Sequence, residues 1–390
     1  MIKKIIYIIL FLSINIQLKS QDVSFSQFDL NMLYMNPALA GFEQNNRTLI
    51  ARRNQWVGIS EKFNSNIVEF NLSKNIKKRR ISGGEIDWTG GIYLMENTAN
   101  TVLKSYHIGI VPWTFHFQLP KSFYISMGLQ NTLRFNTIDW SQLVFSDQIN
   151  EYNDDVTASN AELPAFENQN SFLDPSFGFI LTKHSNLNKK SSNTSFIGFA
   201  WHHLYPPIES FYNDQSKIPR IPQKFTFHGQ FISSFNDVVS KAFNFWKVSY
   251  KHTKQGSNAT QKDDMGVSLS LANKVQLEGG LFYRISRRKL ENEEKVSLMN
   301  ESIIPTLKIR MGVGQDIGME LSYSYDYNFS RLNNSNAVAT NEIALSFYYL
   351  KNNDRICPAQ GKWGNNRKWE NVMLNRKGYG SKNKKNRWIW

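Results

Sequence analysis

Between about residues 47 and 350, the chain alternates between apolar and polar positions with a period of two. In the clearest stretch, every second residue is apolar or aromatic, and the intervening residues are small or polar. The apolar positions are Ile317, Met319, Leu321, Tyr323, Tyr325 and Tyr327; the others are Gly318, Glu320, Ser322, Ser324, Asp326 and Asn328. Successive side chains of a β-strand point to opposite faces, so this pattern predicts a strand with one apolar and one polar face. The alternation recurs at 123–130, 225–231, 265–271, 275–284 and 343–349.

About fourteen such segments, separated by turn-rich breaks, predict an all-β chain. They begin near Arg47, Phe63, Ile86, Thr101, Ser122, Phe172, Thr194, Lys224, Val239, Asp263, Lys274, Ser302, Gln315 and Asn341. A soluble β-sandwich also alternates, and the length would suit a soluble protein of two domains or more. Segments of about ten residues or more, with aromatic residues near their ends, instead favour a transmembrane antiparallel β-barrel of about 14 strands. An even strand number places both termini on one side, the periplasm.

The beginning of the chain has the three parts of a secretory signal. Lys3 and Lys4 precede the apolar stretch Ile5 to Leu12, and Ser20 is a small residue at a plausible cleavage point. A buried N-terminal helix is the alternative. No later apolar run is long enough for a spanning helix. We therefore predict a signal peptide (1–20), an N-terminal motif segment (21–46), an outer-membrane barrel (47–350) and a tail (351–390).

Two predicted connections are long, Asp139 to Ser171 and Tyr205 to Pro222, and in outer-membrane barrels long loops usually lie on the outer face. The single cysteine, Cys357, allows no intramolecular disulfide, so an exported chain of this size must be stabilised in another way, which barrel closure would supply.

The formal net charge is +14, and most of it belongs to the tail. From Lys351 onward there are eleven Lys and Arg residues against two acids, Asp354 and Glu370, which gives +9. The basic residues, among them Arg367 and Lys368, are interleaved with Trp363, Trp369, Trp388 and Trp390. Such a pattern suits single-stranded nucleic acid, but an exported protein rarely meets that ligand. Because exposed aromatic residues usually mark a contact, we predict that the tail docks to a periplasmic partner or the envelope.

The motif segment follows the signal. Asn36-Pro37 and Gly41 would punctuate a compact structure, and its aromatic residues would pack under or inside the barrel mouth. Three ordered pieces, Phe25-Ser26-Gln27-Phe28, Leu33-Tyr34-Met35-Asn36-Pro37-Ala38 with Gly41, and Arg53-Asn54-Gln55-Trp56-Val57-Gly58, resemble the start of the PorP/SprF family of type IX secretion system membrane proteins. Weaker likeness continues to about Tyr349, and the basic tail departs from the common family pattern.

This resemblance implies a non-enzymatic outer-membrane barrel that receives and anchors a secreted adhesin through its C-terminal sorting domain, supporting surface display and gliding motility. It also implies other type IX secretion components as partners, including periplasmic peptidoglycan-associated proteins. The predicted partner-binding residues are Phe25, Gln27, Phe28, Tyr34, Asn36, Pro37, Gly41, Arg53, Gln55 and Trp56, followed by the tail residues Trp363, Arg367, Lys368, Trp369, Trp388 and Trp390.

No catalytic, cofactor-binding or metal-binding residue is predicted. The chain lacks the common nucleophile, phosphate-loop and zinc motifs. His202 and His203 are adjacent, and neighbours in a strand point to opposite faces, so we expect one in the lumen and one outside. Two alternatives stay open: an outer-membrane porin or transporter for small molecules, and a barrel hydrolase whose residues meet only in space. An open charged constriction would favour the porin; bulky lumenal residues or a plug would favour the anchor.

Overall fold

The computed structural model describes most of the region from Asp22 to Tyr349. The described residues are 22–27, 29–42, 46–56, 62–73, 79–81, 84–100, 102–119, 123–143, 169–188, 191–211, 220–235, 243–256, 260–272, 275–289, 296–312, 317–329 and 339–349. The predicted signal peptide and the basic tail lie outside these residues.

Antiparallel strands form one closed barrel, as the alternation predicts. The strands are β1 (Asn46–Gln55), β2 (Phe63–Ser73), β3 (Arg79–Ile81), β4 (Gly84–Ala99), β5 (Leu103–Leu119), β6 (Phe123–Ile138), β7 (Gln169–Asn188), β8 (Ser191–His202), β9 (Lys224–Phe235), β10 (Phe243–Gln255), β11 (Thr260–Ala272), β12 (Gln276–Lys289), β13 (Val296–Gly312), β14 (Ile317–Asn328) and β15 (Thr340–Tyr349). All except the short β3, which pairs only with β4, belong to the 14-strand wall. Closure comes from the pairing of β1 with β15 and of β2 with β4.

The wall is apolar outside and polar inside. Leu129 and Leu281 face outward and are 47% and 53% exposed, whereas Gln130 and Arg284 on the opposite parity are buried. A soluble sandwich would bury its apolar face, so this arrangement identifies the outer face as the lipid-contacting surface. The strands of the 14-strand wall are ten to twenty residues long, enough to cross a bilayer when tilted.

The two ends of the barrel differ. Asn46 in β1 lies opposite Tyr349 in β15, so the wall begins and finishes at one end, which we call the terminus end. The long connections from β6 to β7 and from β8 to β9 both lie at the other end, which we call the loop end. A 3-10 turn, Trp140–Gln142, begins the first of these connections.

Two elements differ from the sequence prediction. The strand β3 was not predicted, and β13 begins at Val296, before the predicted start near Ser302. The second difference arises because pairing with β12 continues through Ser297 and Leu298, beyond a register shift between Ser286 and Arg287. A shift of this kind interrupts the alternation from which the boundary was predicted.

Within the described residues, no helix is long and apolar enough to cross a membrane.

The outward face yields a test of the lipid assignment. Leu129→Arg, at the middle of β6, is expected to lower the free energy of unfolding in phospholipid vesicles by about 2–4 kcal/mol, since it places a charge in hydrocarbon. The matched control is Leu119→Arg, an outward residue at the terminus end of β5 opposite Phe123, where a cation reaches the interface and costs about 1 kcal/mol or less. Urea titration of the folded band on unheated gels measures both. Equal destabilisation by the two substitutions would contradict the assignment.

Candidate functional site

The lumen is occupied by the N-terminal segment, residues 22–42, which we call the plug. It contains a one-turn helix, α1 (Met32–Met35), and a 3-10 turn, Pro37–Leu39. Residues of the plug also contact each other: the Tyr34 hydroxyl donates to the Val23 carbonyl at 2.9 Å, and the Tyr34 ring packs edge-on against the Phe25 ring. The plug is therefore a folded body, and its contacts reach inward side chains around the whole wall.

An apolar cluster joins the plug to one side of the wall. Leu33 and Tyr34 pack with Leu49 of β1, Ile67 of β2 and Tyr93 of β4, all buried. A lumen open to water would rarely present such residues. Their burial adds a hydrophobic contribution to the free energy with which the plug is held in the wall. This cluster is a core in the usual sense, enclosed by the wall, and a second cluster joins Met32 and Leu39 of the plug to Ile180 of β7 and Phe196 of β8.

The Asn36-Pro37 pair shapes the middle of the plug. The Asn36 side chain accepts a hydrogen bond from the Ala38 amide at 2.9 Å, which caps the 3-10 turn that Pro37 begins. Its amide nitrogen lies 3.2 Å from the Phe199 carbonyl and 2.9 Å from His228 Nε2. One buried side chain thus both closes the local turn and attaches it to β8 and β9.

Glycines in the wall leave room for this turn. A Cβ at Gly178 of β7 would overlap Asn36 Oδ1, and one at Gly128 of β6 would overlap the Pro37 carbonyl. Gly41 of the plug has a φ of +66°, a left-handed conformation that other residues rarely adopt. The plug and this part of the wall therefore fit only because these positions have no side chain.

The first described residue of the plug is bound at the loop end. The Asp22 carboxylate lies 3.2 Å from Arg134, 3.1 Å from Lys224 and 3.0 Å from His203 Nε2. The other His203 nitrogen, Nδ1, lies 2.9 Å from Asp174. Burial raises the pKa of Asp22, but attraction to Lys224, Arg134 and His203 outweighs it and holds that pKa well below its usual range. Asp22 is therefore ionised and clamped.

A second clamp holds the next turn of the plug to the seam between the first and last strands. The Ser26 and Gln27 amides donate to the two carboxylate oxygens of Glu342 in β15, at 2.6 and 2.9 Å. Glu342 also pairs with Arg53 of β1 at 3.0 Å. One carboxylate therefore accepts from the plug and from the neighbouring strand, which links plug docking to the β1–β15 seam.

A third clamp lies closer to the terminus end. The Asp29 carboxylate lies 2.8 Å from Lys247 of β10 and 2.6 Å from Lys308 of β13. Burial raises the pKa of Asp29, but the two ammonium groups lower it more, so this carboxylate is ionised. Removing one partner of such a buried pair commonly costs about 3–5 kcal/mol, because a charge is left uncompensated.

The structure separates the predicted motif residues into two groups. Phe25, Gln27, Tyr34, Asn36, Pro37, Gly41 and Arg53 are in the lumen, in plug-wall contacts, whereas Gln55 and Trp56 are half-buried at the loop end. Phe28 and the tail residues lie outside the described residues. Partner binding by all of these positions stays a prediction.

Sequence reasoning missed the wall residues that hold the plug, above all Glu342, Arg134, Lys224, Lys247 and Lys308. Each is a charged residue at an inward position of a predicted strand. That parity was visible in the alternation and was a usable signal, since a charge facing a membrane lumen needs a partner. Which carboxylate each cation meets was not visible.

One expectation about orientation was wrong. His202 and His203 both face the lumen, because His203 has a φ of +57° and ends the strand alternation. His202 Nε2 lies 3.1 Å from the Met35 carbonyl. The wall begins and finishes at the terminus end, whereas Asp22 of the plug contacts loop-end residues. A periplasmic position of both chain termini stays a prediction.

Two cavities between the described residues of the plug and of the wall are small. One at the loop end measures about 50 Å³ and is lined by Asp22, Lys224, Gln255 and Lys262, among others. Another, bordered by Met35, His228 and Lys308, measures about 30 Å³. Each holds one or two water molecules, far less than a path for solutes would need.

Comparison with known proteins gives a family and a set of distant structural neighbours. The family model described as "Type IX secretion system membrane protein PorP/SprF" matches residues 17–347. Among curated proteins, none matches the chain.

Solved structures that resemble the chain include outer-membrane barrels. The CymD monoaromatic hydrocarbon channel is 10% identical, with 84% of this chain and 94% of that chain covered and a TM-score of 0.45. The toluene transporter TodX of Pseudomonas putida is 8% identical, covers 85% and 95%, and scores 0.39. The translocator domain of the autotransporter NalP from Neisseria meningitidis is 9% identical, covers 78% and 88%, and scores 0.33.

The glycine contacts predict how the plug can be loosened. Gly178→Ala places a methyl group against Asn36, and overpacking of this kind costs about 1–3 kcal/mol. We expect the undocked fraction of the plug to rise by roughly tenfold. Chymotrypsin cleavage after Phe25 or Tyr34, followed by mass spectrometry, measures it. Gly279→Ala is the matched control, since a Cβ there meets nothing within 4 Å. Equal cleavage of the two variants would show that the close approach of the plug to Gly178 does not hold the plug in place.

The Asp22 contact predicts a pH window. The pKa of folded Asp22 lies below its ordinary 3.8, so its contribution to docking is present above that value and lost as the pH falls further. Burial lowers the pKa of His203, but Asp22 and Asp174 raise it overall, so its contribution is complete below 6.5 and lost as the pH rises through the raised value.

A spin label on Ser24→Cys, in a Cys357→Ser background, is therefore expected to be least mobile between pH 3.8 and 6.5. Electron paramagnetic resonance spectra at several pH values measure this. Asp22→Asn removes the pair and should leave the label mobile throughout. A wild-type spectrum that is unchanged from pH 2 to 9 would contradict the proposed clamp.

Proposed function

Because the chain belongs to the PorP/SprF family of type IX secretion system membrane proteins, we propose that this outer-membrane barrel receives and anchors a secreted adhesin at the cell surface. The adhesin is held through its C-terminal sorting domain, and the barrel supports surface display and gliding motility. The chain works with other components of the same secretion system. Its family is one of secretion-system membrane proteins, and the proposal assigns no reaction to the barrel.

The plug is the observation that carries this proposal. A porin for small molecules needs a water-filled path between its two ends. Here the described plug residues are bound by three carboxylate clamps and by an apolar cluster, and the cavities beside them hold only a few waters. A barrel filled in this way is suited to binding at its ends, with the plug as a rigid support.

The loop end is the side on which we propose the adhesin binds. It carries the long connections, and it presents the half-buried Gln55 and Trp56 of the family motif. Trp56 has a φ of +60° and packs edge-on against Phe63 at a centroid distance of 4.8 Å. A fixed aromatic ring at a barrel rim is a suitable anchor for a protein partner, since rigid aromatic residues dominate binding hot spots.

The terminus end is the side on which we propose that periplasmic partners bind. The wall finishes there at Tyr349, and the basic tail follows it in sequence. We propose that Trp363, Arg367, Lys368, Trp369, Trp388 and Trp390 dock to a periplasmic, peptidoglycan-associated component. An acidic surface with aromatic pockets would suit this composition.

Purification from native membranes tests the anchor. The full chain, isolated in mild detergent, is expected to retain a large surface protein that mass spectrometry identifies by peptides from its C-terminal domain. Trp56→Ala, which removes the rim anchor, should reduce retention by roughly tenfold if this ring is a hot spot. Tyr106→Ala is the matched control, since it removes an exposed ring near the loop end of β5, outside the Trp56–Phe63 contact, and should leave retention unchanged.

Deletion of 351–390 tests whether the two ends of the barrel bind different partners. It should release periplasmic components and leave the surface protein bound. The porin alternative expects the full chain to conduct solutes. Steady solute conductance in planar bilayers, together with no retained surface protein, would overturn the proposal.

A further inference from the structure

One cavity lies at the loop end of the barrel. It lies between the start of the plug and strands β9, β10 and β11, and has a volume of about 50 Å³. Gln255 and Thr260, the last residue of β10 and the first of β11, are half-exposed at its rim. The cavity is therefore at the mouth of the barrel, on the side where we propose the exported partner binds.

Lys262 contributes to this cavity an amino group that has no ion-pair partner among the described residues. It occupies an inward position of β11, and its cross-strand neighbours are the neutral residues Thr253 and Ser286. Among the described residues, it makes no hydrogen bond or ion pair. The nearby lysines are different: Lys224 pairs with Asp22 at 3.1 Å, and Lys251 pairs with Asp264 at 2.8 Å.

Gln255 supplies a second free donor. Its Oε1 accepts a hydrogen bond from the Asp22 amide at 3.2 Å, which sets the orientation of the carboxamide because only the oxygen can accept. Its Nε2 is enclosed and has no hydrogen-bond partner among the described residues. An enclosed donor without a partner costs free energy, so it marks a position where a ligand atom would be stabilising.

The geometry points to a carboxylate-binding site in this cavity. We propose that it takes a carboxylate group of an exported peptide segment, with the Lys262 ammonium as counter-ion and the Gln255 carboxamide as hydrogen-bond donor. This inference rests on the proposed function for the identity of the partner, and on the cavity alone for the chemistry.

A carboxylate fits better than a larger anion. Its two oxygens can accept one bond each from the ammonium and the carboxamide, and its size suits a cavity of about 50 Å³. The same chemistry already occurs beside it, where the Asp22 carboxylate lies between Lys224 and Arg134. The carboxylate can come from an acidic side chain or from a free C-terminus, and both sources share this recognition.

Peptide binding to the full chain in lipid nanodiscs tests the site, with isothermal titration calorimetry as the readout. Three short glycine peptides serve as probes: one with a free C-terminal carboxylate, one amidated with a single aspartate, and one amidated and neutral. We expect saturable binding of one or both carboxylate peptides and none of the neutral peptide. Which carboxylate peptide binds more tightly identifies the source.

The lysine variants give the decisive comparison. Lys262→Gln should weaken carboxylate binding by about tenfold or more, as expected for a hydrogen bond to a charged group. Lys262→Arg keeps the cation and should retain most of the affinity. Lys254→Gln is the matched control, because it removes an exposed lysine from an outward position at the same end of the barrel, and it should change the affinity by less than about twofold.

Three results would overturn the site: no saturable binding of either carboxylate peptide, equal binding of the neutral peptide, or equal losses in Lys262→Gln and Lys254→Gln. The proposed function is judged separately by retention of the surface protein. If the surface protein is retained but neither carboxylate peptide binds, the site fails and the anchor stands. If the peptides bind but no surface protein is retained, the anchor fails and the site stands.

Discussion

Lipid around the wall is the constraint on which the rest of this structure depends. In hydrocarbon, every backbone polar group must find its partner within the wall, and every charged side chain must face inward. Closure of the sheet satisfies the first requirement and collects buried charges such as Arg53, Lys247, Lys308 and Glu342 in the lumen. The plug provides partners for these inward charges, since its carboxylates and backbone amides pair with them. The wall and the plug are therefore two parts of one electrostatic unit.

The same constraint explains how much of the fold was predictable. A wall between lipid and a polar lumen must alternate at every residue, so the positions of the long strands and the inward parity of Glu320 or Asp326 could be predicted from the sequence. The short strand β3 and the extension of β13 could not, because three residues are too few to show an alternation and a register shift interrupts it beside β13. The orientation of His203 could not be predicted for another reason: the positive φ of this residue turns its side chain inward.

The candidate site was predictable only in part. The motif marked the plug, and Asn36-Pro37 marked its turn, since local hydrogen bonds within three residues shape both. The wall residues that contact the plug could not be predicted from the sequence. Ser26 and Glu342 are 316 residues apart, and the Gly178 contact with Asn36 requires both strands and plug to be in place. Pairings of this kind are set by closure of the barrel, which no local pattern records.

The plug is continuous with the chain that becomes β1, and this connection has a kinetic consequence. Binding of Asp22 and Asp29 to the wall is an intramolecular event, for which the effective concentration of a short tethered segment is on the order of millimolar. A segment that leaves the lumen therefore rebinds quickly without diffusing away. Any free competitor for the same wall charges must exceed that local concentration or bind far more tightly, so the barrel excludes dilute anions while still meeting a partner that is itself held at the loop end.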